Sequence, residues 1–343
     1  MRSLILSALL AVTICFGFTQ LSFAACVEGP PDTFTCNTNP PNPDLNGIQE
    51  EFNNNNLTVN VLPGAGIDTE GTPFAACIRT GNGTSIFDVN GADFNCEDDG
   101  INSKGNNTFN ITDSTFKVGE SIGEAIITSP GVNIINVLRS ILDGGIFAIN
   151  VTGGSTTTNV TDSTLTGRSE ALCMGGINVI DLLRSQILCD ENTGTECDAV
   201  DFSFEDDEIT VVESLIRAGD TSDSDAIECG PGNDTTTLGT GANLIGRIAC
   251  GPDFDTIIFA MDVPEEALPL VSSQIAAANP AGDTLVINGL TYTWTDCELL
   301  VSQLNGVRNV RPIPTLSEWG LIALAGVLGI VGFITIQRRK GTA

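Results

Sequence analysis

The sequence predicts an all-β body wound as a right-handed parallel β-helix of about seven coils, preceded by a signal peptide and followed by a transmembrane helix. Three observations carry that prediction. An apolar landmark recurs at Ile78, Ile101, Ile126, Ile149, Leu172, Val200 and Ile227, usually after alanine, and a second recurs at Val89, Ile111, Val137, Val160, Leu182, Val211 and Leu238. The step from each first landmark to its second is always 10 or 11 residues, whereas the return step varies from 12 to 18. A half-repeat of constant length is locked by stacking on its neighbours, and a half of variable length holds a loop free to bulge outward. The 37 glycines, with abundant Asn, Thr and Ser, suit short strands and turns rather than helices. A β-sandwich of short strands is the competing all-β reading, but it does not require repeated spacing. At about 4.8 Å between stacked strands, seven coils span roughly 30 Å.

A finer signature follows the second landmark. Compare Ile111-Thr-Asp-Ser-Thr-Phe116, Val137-Leu-Arg-Ser-Ile-Leu142, Val160-Thr-Asp-Ser-Thr-Leu165, Leu182-Leu-Arg-Ser-Gln-Ile187 and Val211-Val-Glu-Ser-Leu-Ile216. The first and sixth residues are apolar, an odd number of steps apart. A straight strand would point them to opposite faces, so a bend is expected between them. Ser114, Ser140, Ser163, Ser185 and Ser214 then stack in one column. Beside them Asp113, Arg139, Asp162, Arg184 and Glu213 alternate in sign and form a ladder of unlike charges on an exposed edge.

The flanking segments follow in chain order. Residues 1–24 read as a secretory signal: Arg2 supplies the positive start, Leu4 to Phe18 the apolar core, and Ser22-Phe23-Ala24 the small-residue cleavage site. Cleavage is expected before Ala25. Phe23-Ala24-Ala25-Cys26 also resembles a lipoprotein box, although phenylalanine fits its first position poorly. Residues 25–56, rich in Pro and Asn, are the opening segment and N-terminal cap, and 57–250 are the β-helix proper. Irregular closing coils are expected over 251–304, with strands at Asp255 to Ala260 and Leu285 to Thr295, and a linker over 305–312. Caps are needed because open solenoid ends pair with other chains.

At the C-terminus, Trp319 to Ile336 is an uncharged apolar span, just long enough to cross a bilayer at about 1.5 Å per residue. Arg338, Arg339 and Lys340 follow at once, which places that side in the cytoplasm and the body outside. Directly before the span stands Ile313-Pro314-Thr315-Leu316-Ser317-Glu318-Trp319-Gly320. Motif, apolar helix and basic cluster together resemble the IPTL-CTERM sorting domain over residues 313–343. That resemblance implies a bacterial protein that meets the export machinery, is membrane-anchored before processing by an exosortase, and ends at the cell envelope or surface.

Composition narrows the function. The formal charge is −29 and histidine is absent, and between Ala25 and Pro312 there are 10 basic against 42 acidic residues. That balance argues against nucleic acid and anionic glycans as partners. Without histidine, His-based triads and His–metal sites are excluded. Ten of the 11 cysteines remain after signal removal, which in an exported chain favours disulfides. The closest pairs are Cys26 with Cys36 and Cys189 with Cys197.

The variable turns are acidic, with the metal candidates Asp98, Asp99, Asp220, Asp223 and Asp225 among them. Calcium is the ion such carboxylates would take, and a merely solvated surface is the plainer reading. Gly230-Pro-Gly-Asn-Asp234 resembles part of a calcium-binding β-roll repeat, and Gly251-Pro-Asp-Phe-Asp255 is a worse copy; both also read as turns. Two function classes remain. One is a surface-displayed structural, adhesive or ligand-binding protein, with an extracellular glycan or matrix component as partner. The other is a carbohydrate-active β-helix enzyme, for which Asp98 with Asp99, or Asp206 with Asp207, could be nominated as carboxylate pairs. One Tyr and two Trp offer few aromatic sugar platforms, and no catalytic constellation stands out.

Overall fold

The computed structural model describes residues 26–307, except 30–31, 39–43, 45–46, 51–55, 73–74, 120–122 and 191–196. The signal segment, the sorting motif, the apolar span and the basic cluster therefore lie outside the described residues. The chain coils into a parallel β-helix with three faces. The first-landmark column pairs in unbroken parallel register from Ile78 through Ile101, Ile126, Ile149, Leu172 and Val200 to Ile227. The second-landmark column runs likewise from Val89 through Ile111, Val137, Val160, Leu182 and Val211 to Leu238. Every one of these side chains is buried.

Stacking extends past both ends of the predicted repeat. Ile48 pairs below Ile78, Val61 below Val89, Ile248 above Ile227 and Phe259 above Leu238. The third face alone stacks eight strands, from Gly66–Asp68 to Asn243–Ile245, one more than the expected seven coils. The outer rungs escaped the repeat because their steps fall outside its spacing: 13 residues from Ile48 to Val61, and 10 from Leu238 to Ile248. In one coil the place before the landmark is tight enough to require glycine. A Cβ on Gly100, which fills that place before Ile101, would stand 2.4 Å from the Ala125 carbonyl and 2.7 Å from the Phe116 ring.

The expected bend is a corner between the second and third faces. Its third residue takes the left-handed backbone in each coil: Asp113, Arg139, Asp162, Arg184 and Glu213 have φ of 47–51°. Gly91, with φ 57°, takes the equivalent place one coil earlier. A side chain costs about 1–2 kcal/mol in that region, so something must hold the corner. The serine column does so. Each Oγ donates to the carbonyl two residues back, at 2.7 Å for Ser114 and Ser163. It also accepts an N–H from the coil before, as Ser163 does from Ser140 at 3.0 Å and Ser214 from Ser185 at 3.0 Å. The charge ladder is present too, with Arg139 forked on Asp113 at 2.6 and 2.7 Å and Arg184 forked on Asp162 at 2.7 and 2.9 Å. These guanidinium contacts hold both carboxyls below the usual carboxylate range.

Inside, aromatic rings stack at the coil repeat: Phe87 on Phe109 at 4.8 Å and Phe94 on Phe116 at 4.2 Å. Disulfides join Cys26–Cys36, Cys77–Cys96, Cys189–Cys197 and Cys250–Cys297, and Cys173 and Cys229 are free thiols. The closing region departs from a simple coil. Thr256–Ala260 stacks in parallel as expected, but a helix, Leu268–Ala277, follows and turns Val271 and Ile275 inward. Leu285 to Thr295 is not one strand: Asn288 and Gly289, with φ 52° and 82°, break it into the hairpin Gly282–Ile287 and Leu290–Thr295. An Asn-Gly pair favours such a turn because both central residues need positive φ. Tyr292 and Trp294 from this hairpin meet Phe259 edge-on at 5.9 and 6.1 Å and plug the end of the core.

Candidate functional site

Length variation is concentrated at one corner, between the third and first faces. Seven residue steps separate Leu142 from Ile149, and thirteen separate Ile187 from Val200. The acidic turns leave this corner and feed two columns of the first face. Two positions before the landmark come Asp99, Glu124, Phe147, Glu170, Asp198 and Asp225. One position after it come Asn102, Ile127, Asn150, Cys173, Asp201 and Glu228. The result is an acidic strip running along the helix axis.

The candidate metal residues do not converge on one point. Asp99 and Asp225 share a column but stand five coil steps apart, and Asp98 lies beside Asp99 while Asp220 and Asp223 lie exposed beside Asp225. Several already have partners. Arg79 contacts Asp98 at 3.2 Å, and Asn102 donates to Asp99 at 2.7 Å. Arg247 forks onto Asp225, whose own N–H donates to Asp198 at 2.5 Å. Burial, then the Asp99 charge, raises Asp98 above its ordinary value despite Arg79. Burial and Asp99 raise Glu124 more strongly.

Two ligand sets emerge that sequence reasoning missed. The ligand atoms of Glu170, Cys173 and Asp201 lie within 4.8 Å of one another, and so do those of Asp198, Asp225 and Glu228. Each joins residues from adjacent coils, so the only signal in the sequence is a fixed offset from the landmarks. Neither set is a ready cation site. Burial, then the Glu170 carboxylate, raises the Cys173 thiol, which opposes formation of the thiolate that binds metals. In the second set the Arg247 guanidinium supplies the positive charge an ion would bring.

The second face presents a different surface. Asn110 donates to Asp88 at 2.7 Å, Asn136 to Asn110 at 2.9 Å and Asn159 to Asn136 at 2.9 Å, one amide per coil. Alongside, Ile86, Val132, Ile134, Ile177 and Val179 stand exposed. The nominated pair Asp206 and Asp207 is split, with Asp206 turned out to Asn233 and Asp207 turned into the core. Both glycine-aspartate segments are stacked turns, with the Asp234 N–H on Asp255 Oδ1 at 2.8 Å.

The IPTL-CTERM motif family matches residues 311–339. Neither a curated protein nor a solved structure matches the chain. Among the described residues no helix is long and apolar enough to cross a membrane. The chain thus carries a sorting signal, of the kind processed by exosortases, on a parallel β-helix body. That signal marks an exported protein sorted to the cell envelope or surface.

Proposed function

We propose that this protein is a displayed surface scaffold, exported by a cleaved signal, held in the membrane by its C-terminal span until an exosortase removes the tail, and adhesive rather than catalytic in role. The observation that carries the reading is the sorting motif at 311–339 following a β-helix whose stacked coils make a stiff, extended body. The face best suited to a partner is the second one. Its Asn ladder offers amides to hydroxyl groups, and its exposed aliphatic side chains offer apolar contact. A neutral extracellular glycan fits that chemistry, whereas the charge of −29 repels anionic polymers. The acidic strip serves as a solvated face that keeps the exported body soluble, and calcium is its competing occupant.

Mass spectrometry of protein recovered from the envelope tests the sorting step. A mature C-terminus near Ile313–Gly320 is expected, and recovery of peptides from Gln337 onward in most molecules would leave a plain membrane anchor instead. A glycan array with and without calcium tests the display role. Binding to neutral glycans that is lost on Asn136→Asp supports the second face. Calorimetric heat at millimolar calcium, with a raised melting temperature at constant ionic strength, would move the acidic strip from a solvated face to an ion site.

A further inference from the structure

Inside the corner between the first and second faces runs one continuous column of polar side chains. In the earlier coils it is neutral, with Asn107, Asn133, Thr156 and Asn178 in successive register. In the later coils the same column becomes Asp207, Asp234 and Asp255, each preceding the paired residues Glu208, Thr235 and Thr256. None of the seven is more than 3% exposed.

Each carboxyl is tied by one oxygen only. Asp207 Oδ1 accepts the Asn178 N–H at 2.6 Å and its Nδ2 at 3.0 Å, Asp234 Oδ1 accepts the Asp207 N–H at 2.7 Å, and Asp255 Oδ1 accepts the Asp234 N–H at 2.8 Å. The second oxygen of all three is buried with no hydrogen-bond partner among the described residues. Among the described residues nothing facing the column supplies positive charge: the neighbouring titratable groups are Asp206, Asp253, Glu298 and the Cys229 thiol. An ionised carboxylate placed so, with another one coil away, carries a large desolvation cost and mutual repulsion. The neutral amides of Asn107, Asn133 and Asn178 show what this column otherwise accepts.

We infer that Asp207, Asp234 and Asp255 are held as neutral carboxylic acids, so that the C-terminal coils form an acid-locked segment that alkali loosens. Burial is the largest cause, raising Asp207 to about 8 and Asp234 and Asp255 each to about 7, against the pull of the N–H groups that bond them. The sign follows. Unfolded carboxyls release their protons near pH 4, so the stabilisation is full below about pH 4, declines as the pH rises, and is lost above about pH 8. The segment lies at the end from which the chain runs on to the sorting motif, so alkaline surroundings loosen first the coils nearest the tail.

Carbon-13 NMR of the aspartate carboxyls in the full-length chain in detergent, paired with melting curves at pH 5 and pH 9, tests the inference. Three carboxyl signals should titrate above about pH 6, and the wild type should melt lower at pH 9 than at pH 5. The isosteric variant D207N/D234N/D255N should match the wild type at pH 5 and lose less of that melting temperature at pH 9, the remaining loss coming from groups such as Glu124. Absence of any aspartate carboxyl titrating above about pH 6 would overturn the inference, and that measurement decides even if the variant does not fold. Millimolar calcium that restores the wild type at pH 9, but leaves the variant unchanged, would also overturn it by making a metal ion the neutralising partner.

Discussion

Ser140 Oγ accepts the Ser114 N–H at 3.1 Å while it donates to the Leu138 carbonyl at 2.9 Å. One hydroxyl thus closes its own corner and holds the coil before it. Repeated at Ser163, Ser185 and Ser214, the arrangement ties local turn geometry to stacking. It also accounts for a strained backbone at the residue just before each serine.

Ser140→Ala leaves the buried Ser114 N–H without its acceptor, while the Leu138 carbonyl keeps the Asp113 N–H, and should cost about 1–3 kcal/mol. Ser155→Ala, on the exposed side of the second face, should stay within about 0.5 kcal/mol. Melting curves of the two variants decide, and equal values would mean that the column fills space without bonding.

Glu213 tests the corner backbone. Its φ of 49° disfavours any side chain, so Glu213→Gly should be more stable than Glu213→Ala by about 1–2 kcal/mol. Since both substitutions remove the same carboxylate, the comparison isolates the backbone. A glycine variant no better than the alanine variant would contradict the left-handed assignment.

Insertions probe the register. Two residues added after Thr161, directly before the Asp162 corner, should displace Leu165 from the core, at a cost of about 1.5–3 kcal/mol before misplaced polar groups are counted. The same addition after Asn192 falls in the longest variable stretch, outside the described residues and between the disulfide partners Cys189 and Cys197, and should leave the melting temperature unchanged.

Thiol chemistry offers a fourth check. Burial and the neighbouring Glu170 and Asp201 charges keep the Cys173 thiol protonated. Iodoacetamide should therefore label it slowly at pH 8, and Glu170→Gln should speed labelling by removing one of those charges. Labelling unaffected by the substitution would show that access alone sets the rate.

The columns were legible because stacking forces chemistry to recur at constant steps. Ile101, Ile126 and Ile149 declare themselves by spacing, and so do Ser114, Ser140 and Ser163. The end coils were hidden where the spacing changed: Leu238 to Ile248 is only 10 residues, and Tyr292 and Trp294 come from a hairpin that owes nothing to the repeat. The buried carboxyls were illegible for another reason. Asp206 and Asp207 are adjacent and identical in sequence, and only the direction of the turn sends one to solvent and the other inward. Likewise, Glu170 and Asp201 meet across a coil boundary whose loop length gives no warning.

Because length varies most between the third and first faces, that corner can be rewritten without disturbing the register of the other two. Foreign peptides grafted after Leu165 and Ile187 would emerge from neighbouring coils, with their attachment points roughly 5 Å apart along the axis. Skipping coils would widen the separation in equal increments. The molecule is in that sense a graduated ruler, on which the spacing between two displayed epitopes is chosen by counting coils.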